Sequence, residues 1–347
     1  MTRTRNSILA KAQSKLKAKQ GFCLARFPGE KHLTLYHNPG NKPSDAKNHF
    51  LVKGWNKTED TYYFTSENDN KSNHSTEYDQ ITSGVPQSET TFESYAEQFT
   101  TFQNAFSKTV VKKAILSRLK HVPLDTDFDS IAYFERLEKA YPDALVYIML
   151  HPTQGLWIGA TPEILVAAKD ENWTTVSLAG TQKLSSKEYK WGEKEIEEQE
   201  YVSAHIRETL REMGVKNYDE TGPLTAEAGS VAHLKTVFKF NASSADFNYL
   251  KYVDMVHPTP AISGTPLKES TTLINSTEAH NRELYTGYLG RAGEETIDLY
   301  VNLRCSRVFS DKLILYLGGG ITKGSNLTSE WEETEEKAKT LLKHIHG

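Results

Sequence analysis

Apolar and polar positions change period several times along this chain. From Gly21 to Arg26 and from Leu33 to Tyr36 they fall in short alternating runs, which predicts antiparallel strands over 21–64. From Thr91 to Lys108 the spacing of Phe92, Tyr95, Phe99, Phe102, Ala105 and Phe106 becomes helical. Lys113–Arg118 reads as a strand, 129–141 as a helix, and 144–150 and 156–158 as strands. Residues 163–168 and 174–178 read as a strand pair, followed by a long, highly charged helix over 187–213. Strands recur at 234–240, 297–307 and 312–318, with helices at 244–251, 278–286 and 330–345. Strand runs lie next to one another, helices are interspersed, and no βαβ rhythm is present. The pattern predicts an α+β fold with large antiparallel sheets. One structural domain is expected, with 1–90 its divergent N-terminal part and 91–347 its core.

Composition narrows the class. The chain has 347 residues, 37% hydrophobic and 25% charged, as in a soluble globular protein. A formal net charge of -4 gives no electrostatic case for nucleic acid. The two cysteines, Cys23 and Cys305, make neither a disulfide framework nor a thiolate metal site, and a reducing cytoplasm is the expected compartment. No apolar run approaches a membrane span. Residues 1–20 carry Arg3, Arg5, Lys11, Lys15, Lys17 and Lys19 without an acid, and lack the apolar core of a secretory signal. They read as a helix with a basic face. Residues 65–90 are rich in Ser, Asn, Asp and Thr, with Gly84 and Pro86, and read as a loop or insertion.

Candidate chemistry gathers near the C-terminus. Leu315–Thr322 reads as a strand entering three glycines, Gly318, Gly319 and Gly320, and Glu330–Lys337 as an acidic helix start. Glycines let backbone approach a ligand closely and point N–H groups at an anion. Glu330 and Glu333 share a helix face, with Lys337 one turn beyond. Such a set holds a carboxylate or phosphate with a divalent metal, or it is an ordinary solvated helix face.

Other segments pose the same choice. Lys113 shares a strand face with Ile115 and Ser117, so it is a solvated rim lysine or a partly buried one usable as a base. In Gly159–Glu163 a proline stiffens the chain before a glutamate that abuts an apolar strand, which suits a general acid or an exposed turn. Glu195 and Glu198 lie on a helix face that runs into Val202; buried carboxylates there would need a cation. Leu178–Gln182 ends a strand in small residues. His257–Gly264 is a Pro/Gly segment whose histidine could bond a substrate oxygen or cap its loop. Arg282, Tyr285 and Arg304 are candidate carboxylate binders or surface partners, with Arg304 and Asn302 on one strand face. There is no P-loop, no dinucleotide fingerprint, no H-E-x-x-H and no nucleophile elbow.

Taken in order from Phe92 to Lys337, these segments resemble the chorismate-utilising enzymes, and among them the isochorismate synthases. The resemblance rests on K-A-I-L-S-R at 113–118, G-A-T-P-E at 159–163, L-A-G-T at 178–181 and K-E-I-E-E-Q-E-Y-V at 194–202. It continues through H-P-T-P-A-x-x-G at 257–264, R-x-x-Y-x-G at 282–287, R-C at 304–305, G-x-G at 318–320 and E-W-x-E-T at 330–334. The fold it implies is that of anthranilate synthase component I, with large antiparallel sheets packed centrally and helices outside.

The resemblance also implies roles. Lys113 is the base that activates water to attack C2 of chorismate, and Glu163 the acid that protonates the departing C4 hydroxyl. Glu198 and Glu333 bind Mg²⁺, supported by Glu195 and Glu330. Tyr285, Arg304, Lys337 and the amides around Gly318, Gly319 and Gly320 hold carboxylates, while Thr181 and His257 line the ring pocket. The ammonia-using branch carries G-R-N-D-L after the metal-binding helix. This chain reads A-H-I-R-E-T-L-R-E there, so no glutaminase subunit is expected. A salicylate synthase shares these motifs, and a non-catalytic carboxylate-binding subunit could keep the fold. The expectation is an isomerase, monomeric or weakly dimeric, with menaquinone biosynthesis preferred over a siderophore pathway because no siderophore-specific feature is visible.

Overall fold

A computed structural model describes residues 2–38, 48–56, 58, 60–66, 85–183, 189–228, 231–243 and 247–346. Most of the 65–90 loop lies outside the described residues. Strands β1 (Phe22–Arg26), β2 (Thr34–His37), β3 (Asn48–Lys53) and β4 (Thr61–Ser66) come first, then β5 (Lys113–Pro123). They are followed by β6 (Leu145–His151), β7 (Gly155–Thr161), β8 (Ile164–Lys169), β9 (Asn172–Lys183), β10 (Asp219–Ala228) and β11 (Val231–Asn241). The last are β12 (Gly264–Thr265), β13 (Tyr288–Gly293), β14 (Thr296–Val301), β15 (Cys305–Val308) and β16 (Lys312–Thr322). The helices are α1 (Thr2–Lys17), α2 (Phe92–Lys108), α3 (Ser130–Ala140), α4 (Glu193–Glu212), α5 (Tyr249–Val256), α6 (Leu267–Thr277) and α7 (Leu327–Leu342).

Among the described residues the strands join one 16-stranded antiparallel sheet, in the order β10-β11-β9-β8-β14-β13-β3-β4-β2-β1-β6-β7-β15-β16-β5-β12. The link between β2 and β4 is only two residue pairs wide, Tyr36 with Ser66 and His37 with Thr65. The narrow link divides the sheet into two halves, which bury one face of each against the other. Residues from both halves meet in a single cluster, with Tyr147, Trp157 and Tyr316 on one side and Phe50, Leu289 and Tyr300 on the other.

The period of two sets this layering. In β6, Leu145, Tyr147 and Met149 enter the central cluster, while Val146, Ile148 and Leu150 turn outward to pack with α1, α3 and α7. In β14, Tyr300 faces inward and Ile297, Leu299 and Val301 face the layer that holds α2, α4 and α5. Each half is therefore apolar on both faces, as a strand buried in the middle of layers must be. The expected α+β class, with sheets central and helices outside, is the fold observed.

The structure adds β10, β12, β13 and α6 to the elements read from the sequence, places the helix read over 244–251 at Tyr249–Val256, and changes two others. Residues 278–286 are turns, not a helix, and the helix lies just before them as α6. Arg282 shows why: its guanidinium binds Glu278, the carbonyls of Ile115 and Ile262, and the Thr286 hydroxyl, so side-chain bonds dictate the local path. The strand read over 297–307 breaks at Asn302–Arg304 into β14 and β15.

Candidate active site

Strands β5 and β16 pair along their full lengths, with Ser117 opposite Gly318 and Ile115 opposite Gly320. The glycines therefore lie inside a ladder and not in a turn. The Ile115 N–H bonds the Ser263 carbonyl, and the Ser117 N–H bonds Glu278. Residues directly opposite each other in an antiparallel pair share their hydrogen-bonding direction, so Gly318 and Gly320 also turn their backbone groups away from β5. The Gly318 carbonyl accepts from Lys337 Nζ at 2.8 Å on that open side. The missing side chains make room. A Cβ on Gly320 would sit 2.9 Å from Lys113 Cε, and one on Gly318 2.8 Å from Tyr285 Oη. Lys113 is 3% exposed, its stem packed along this glycine surface and its Nζ 3.1 Å from Glu198.

The break between β14 and β15 aims an arginine. Asn302 is fully buried; its amide donates to the Leu284 carbonyl and accepts from Tyr147 Oη. Arg304 then takes a left-handed φ of 48°, and its carbonyl accepts from the Ala160 N–H. Asn302 and Arg304 thus part company: one locks the core while the other lines a cavity beside Glu163. Burial pushes the Glu163 carboxyl up to about 7, against the opposing pull of Arg304, Lys337 and Lys113.

Helices α4 and α7 supply the acids. Arg118 anchors α7: its Nε donates to Thr334 at 2.7 Å and its guanidinium lies 3.8 Å from the centre of the Trp331 ring. Glu330 is 5% exposed, and burial raises its pKa. Burial would also raise Glu333, but Lys337, 2.6 Å away, outweighs it and holds the carboxyl below its usual range. Lys194 Nζ lies 3.9 Å from Glu198 and 3.7 Å from Glu330, so an ammonium stands between the acids of the two helices.

Lys113, Glu163, Glu195, Glu198, Tyr285, Arg304, the three glycines, Glu333 and Lys337 all line one cavity of about 150 Å³. A base candidate, an acid candidate, fixed cations and a wall of carboxylates suit acid–base chemistry on an anionic molecule.

A family model for chorismate binding enzymes matches residues 28–346. The chain belongs to that family. The isochorismate synthase EntC of Escherichia coli (strain K12) is 31% identical to this chorismate-binding enzyme over 242 residues, covering 67% of this chain and 62% of that relative. The matched stretch is therefore under two thirds of the relative's length. Of the solved structures, MenF, the menaquinone-specific isochorismate synthase of Escherichia coli, superimposes with a TM-score of 0.79 at 15% identity, covering 95% of this chain and 90% of that one. Anthranilate synthase component I of Streptococcus pneumoniae gives 0.66 at 15% identity, covering 92% and 89%. Both likenesses concern the fold.

Within this chorismate-binding enzyme some residues stand elsewhere than the sequence suggested. His257 is buried behind the cavity wall, its Nε2 2.8 Å from the carbonyl of Thr286, a lining residue. It supports the wall and does not line it. Glu330 likewise backs Gly319, where a Cβ would lie 3.4 Å from its Oε2. Glu195 reaches the cavity but also bonds the Gly192 N–H at the start of α4. Arg282 ties three wall segments together. The Thr181 side chain lies outside the described residues. Sequence reading missed Lys194 and His233, both lining residues. His233 sits one position before the strand expected at 234–240. Its Nδ1 is 3.0 Å from the Gly180 carbonyl, and burial lowers its pKa to about 4. Extending the β11 alternation by one residue was the signal that could have found it.

Proposed function

We propose that this enzyme converts chorismate to isochorismate, an isomerisation in which water attacks C2 and the C4 hydroxyl departs. What carries the reading is Lys113 and Glu163 lining one cavity together with Arg304, Lys337 and Tyr285. Lys113 takes a proton from the attacking water. Glu163, with its pKa near neutrality, holds a proton for the leaving hydroxyl and can regain it. Arg304 binds a ring or side-chain carboxylate in bidentate fashion, and the open-edge amides of Gly318 and Gly320 meet the same charge. Leu178, Ile262 and Leu303 exclude bulk water around the ring.

A magnesium ion fits the chemistry of the acidic wall, because Lys194 already places a positive charge between Glu198 and Glu330. Among the described residues no three acids or histidines converge into a finished metal centre. Glu198 and Glu333 would hold the ion, with Glu195 and Glu330 behind them. Bound there, it would neutralise the ring carboxylate and the acidic wall. The product is proposed to serve menaquinone synthesis in the cytoplasm. Among the described residues no helix is long and apolar enough to cross a membrane, and Cys23 and Cys305 are free and buried.

The test is incubation with chorismate and Mg²⁺ followed by chromatography of the products. Isochorismate alone is the expected product. Salicylate with pyruvate would replace the proposed product, and unchanged chorismate would end the catalytic reading.

A further inference from the structure

Among the described residues, three lysines pair with Glu198, Glu330 and Glu333, and they are held in different ways. Lys113 is buried, with its Nζ 3.1 Å from Glu198. Lys337 Nζ is 2.6 Å from Glu333 and also donates to the Gly318 carbonyl at 2.8 Å. Moving either would break a hydrogen bond inside the cavity wall. Lys194 breaks none, because its Nζ stands 3.9 Å from Glu198 and 3.7 Å from Glu330, beyond hydrogen-bonding distance of both.

Lys194 also has a way out. Its side chain is 46% exposed, against 12% for Glu198 and 7% for Glu330. A flexible four-carbon stem lets the ammonium move between the acids and water by rotamer change alone. Helix α4 gains nothing from it, since a cation in the first turn opposes the macrodipole. Its field still reaches acids on both helices. It opposes the rise that burial gives the Glu330 carboxyl, and it joins Lys337 in holding Glu333 down. One ammonium therefore serves α4 and α7 together, by charge alone.

We propose that Lys194 is a displaceable counter-cation of the metal site. It offsets the charge of Glu198 and Glu330 until Mg²⁺ arrives, then gives up its place and turns into solvent. This rests on the metal reading proposed above. Whatever stability Lys194 lends the protein before the ion binds is lost on displacement, so the same quantity weakens the affinity for Mg²⁺. Once the ion is bound, a protein with the lysine in solvent and one without the lysine should be equally stable.

The experiment is calorimetric titration of the full chain with MgCl₂, without chorismate, together with thermal melts after EDTA treatment and at saturating Mg²⁺. The variant is Lys194→Gln. Lys312→Gln, at the far end of β16 from the glycines, is the control and should match the unaltered protein throughout. Lys194→Gln is expected to bind Mg²⁺ about threefold more tightly, the size of a partly exposed ion pair. It should melt about 1 °C lower after EDTA treatment, and the two melts should converge at saturating Mg²⁺. Equal or weaker binding by the variant would overturn the displacement and leave the metal reading standing. A variant that melts above the unaltered protein at saturating Mg²⁺ would place the ammonium beside the bound ion, and would overturn it too. Failure of the unaltered protein to bind Mg²⁺ would overturn the metal reading and the displacement with it.

Discussion

The candidate active-site cavity has two unlike walls. One is sheet: Lys113 and the three glycines, held by the β5–β16 ladder from Lys113–Thr322 to Pro123–Lys312. The other is helix: Glu198 on α4 and Glu333 on α7, whose positions near the cavity depend on lysine partners. Moving the first requires breaking backbone bonds of the ladder. The second can exchange one cation for another with only side-chain motion. For the proposed reaction this division would put rigidity where the proton moves and exchangeable charge where a metal ion would sit.

The largest break in that comparison is expected at its sheet side. Lys113→Ala should lower turnover about 1,000-fold or more while the melting temperature stays near that of the unaltered protein, and a near-normal kcat would remove Lys113 from the chemistry. Glu163→Gln, at the turn between β7 and β8, should cost a similar factor of roughly 100 to 10,000.

On the helical side the effect should appear as metal dependence. EDTA should stop the reaction and added Mg²⁺ restore it. Glu333→Gln should raise the Mg²⁺ concentration needed for half-maximal rate by about tenfold or more, as expected when a hard cation loses a carboxylate ligand. Equal Mg²⁺ response in the variant and the unaltered enzyme would separate Glu333 from the metal.

A smaller change should probe how rigid the sheet wall is. Gly320→Ala places a methyl 2.9 Å from Lys113 Cε, which must shift, and about a tenfold loss of kcat with little change in KM is expected. Least disruptive of all is pH. In the proposed mechanism Glu163 acts in its protonated form, and burial raises its pKa to about 7. Its contribution to the rate should be complete below that value and fall as pH rises through it. In Glu163→Gln that limb should vanish from the profile of the residual rate.

Much of this architecture is legible in the sequence. Alternation placed β5, β7, β8 and β16, and the charged runs put Glu198 and Glu333 on helices that both reach the cavity. Those signals are local, since a residue's period along its own element decides which way it faces. What stayed hidden depends on contacts between distant segments. Nothing in Tyr300–Arg307 marks the break after Val301, because it is set by Asn302 bonding to Tyr147 and to the Leu284 carbonyl. The turn region 278–286 has helical spacing, but Arg282 draws it toward the carbonyls of Ile115 and Ile262. His257 carries a site-like motif and serves as a brace. The motif placed the residue near the cavity without showing on which side of the wall it stands.

The break at Asn302–Arg304 has a further consequence. Strand β14 pairs with β8 and β13 in one half of the sheet, and β15 pairs with β7 and β16 in the other. The chain therefore crosses from half to half beside Arg304, which lines the cavity. Arg304 is a gauge of how tightly the halves are pressed together. Loosening the cluster that joins Tyr147 and Trp157 of one half to Leu289 and Tyr300 of the other would be read out at the cavity as a misplaced arginine, so warming should erode activity ahead of unfolding.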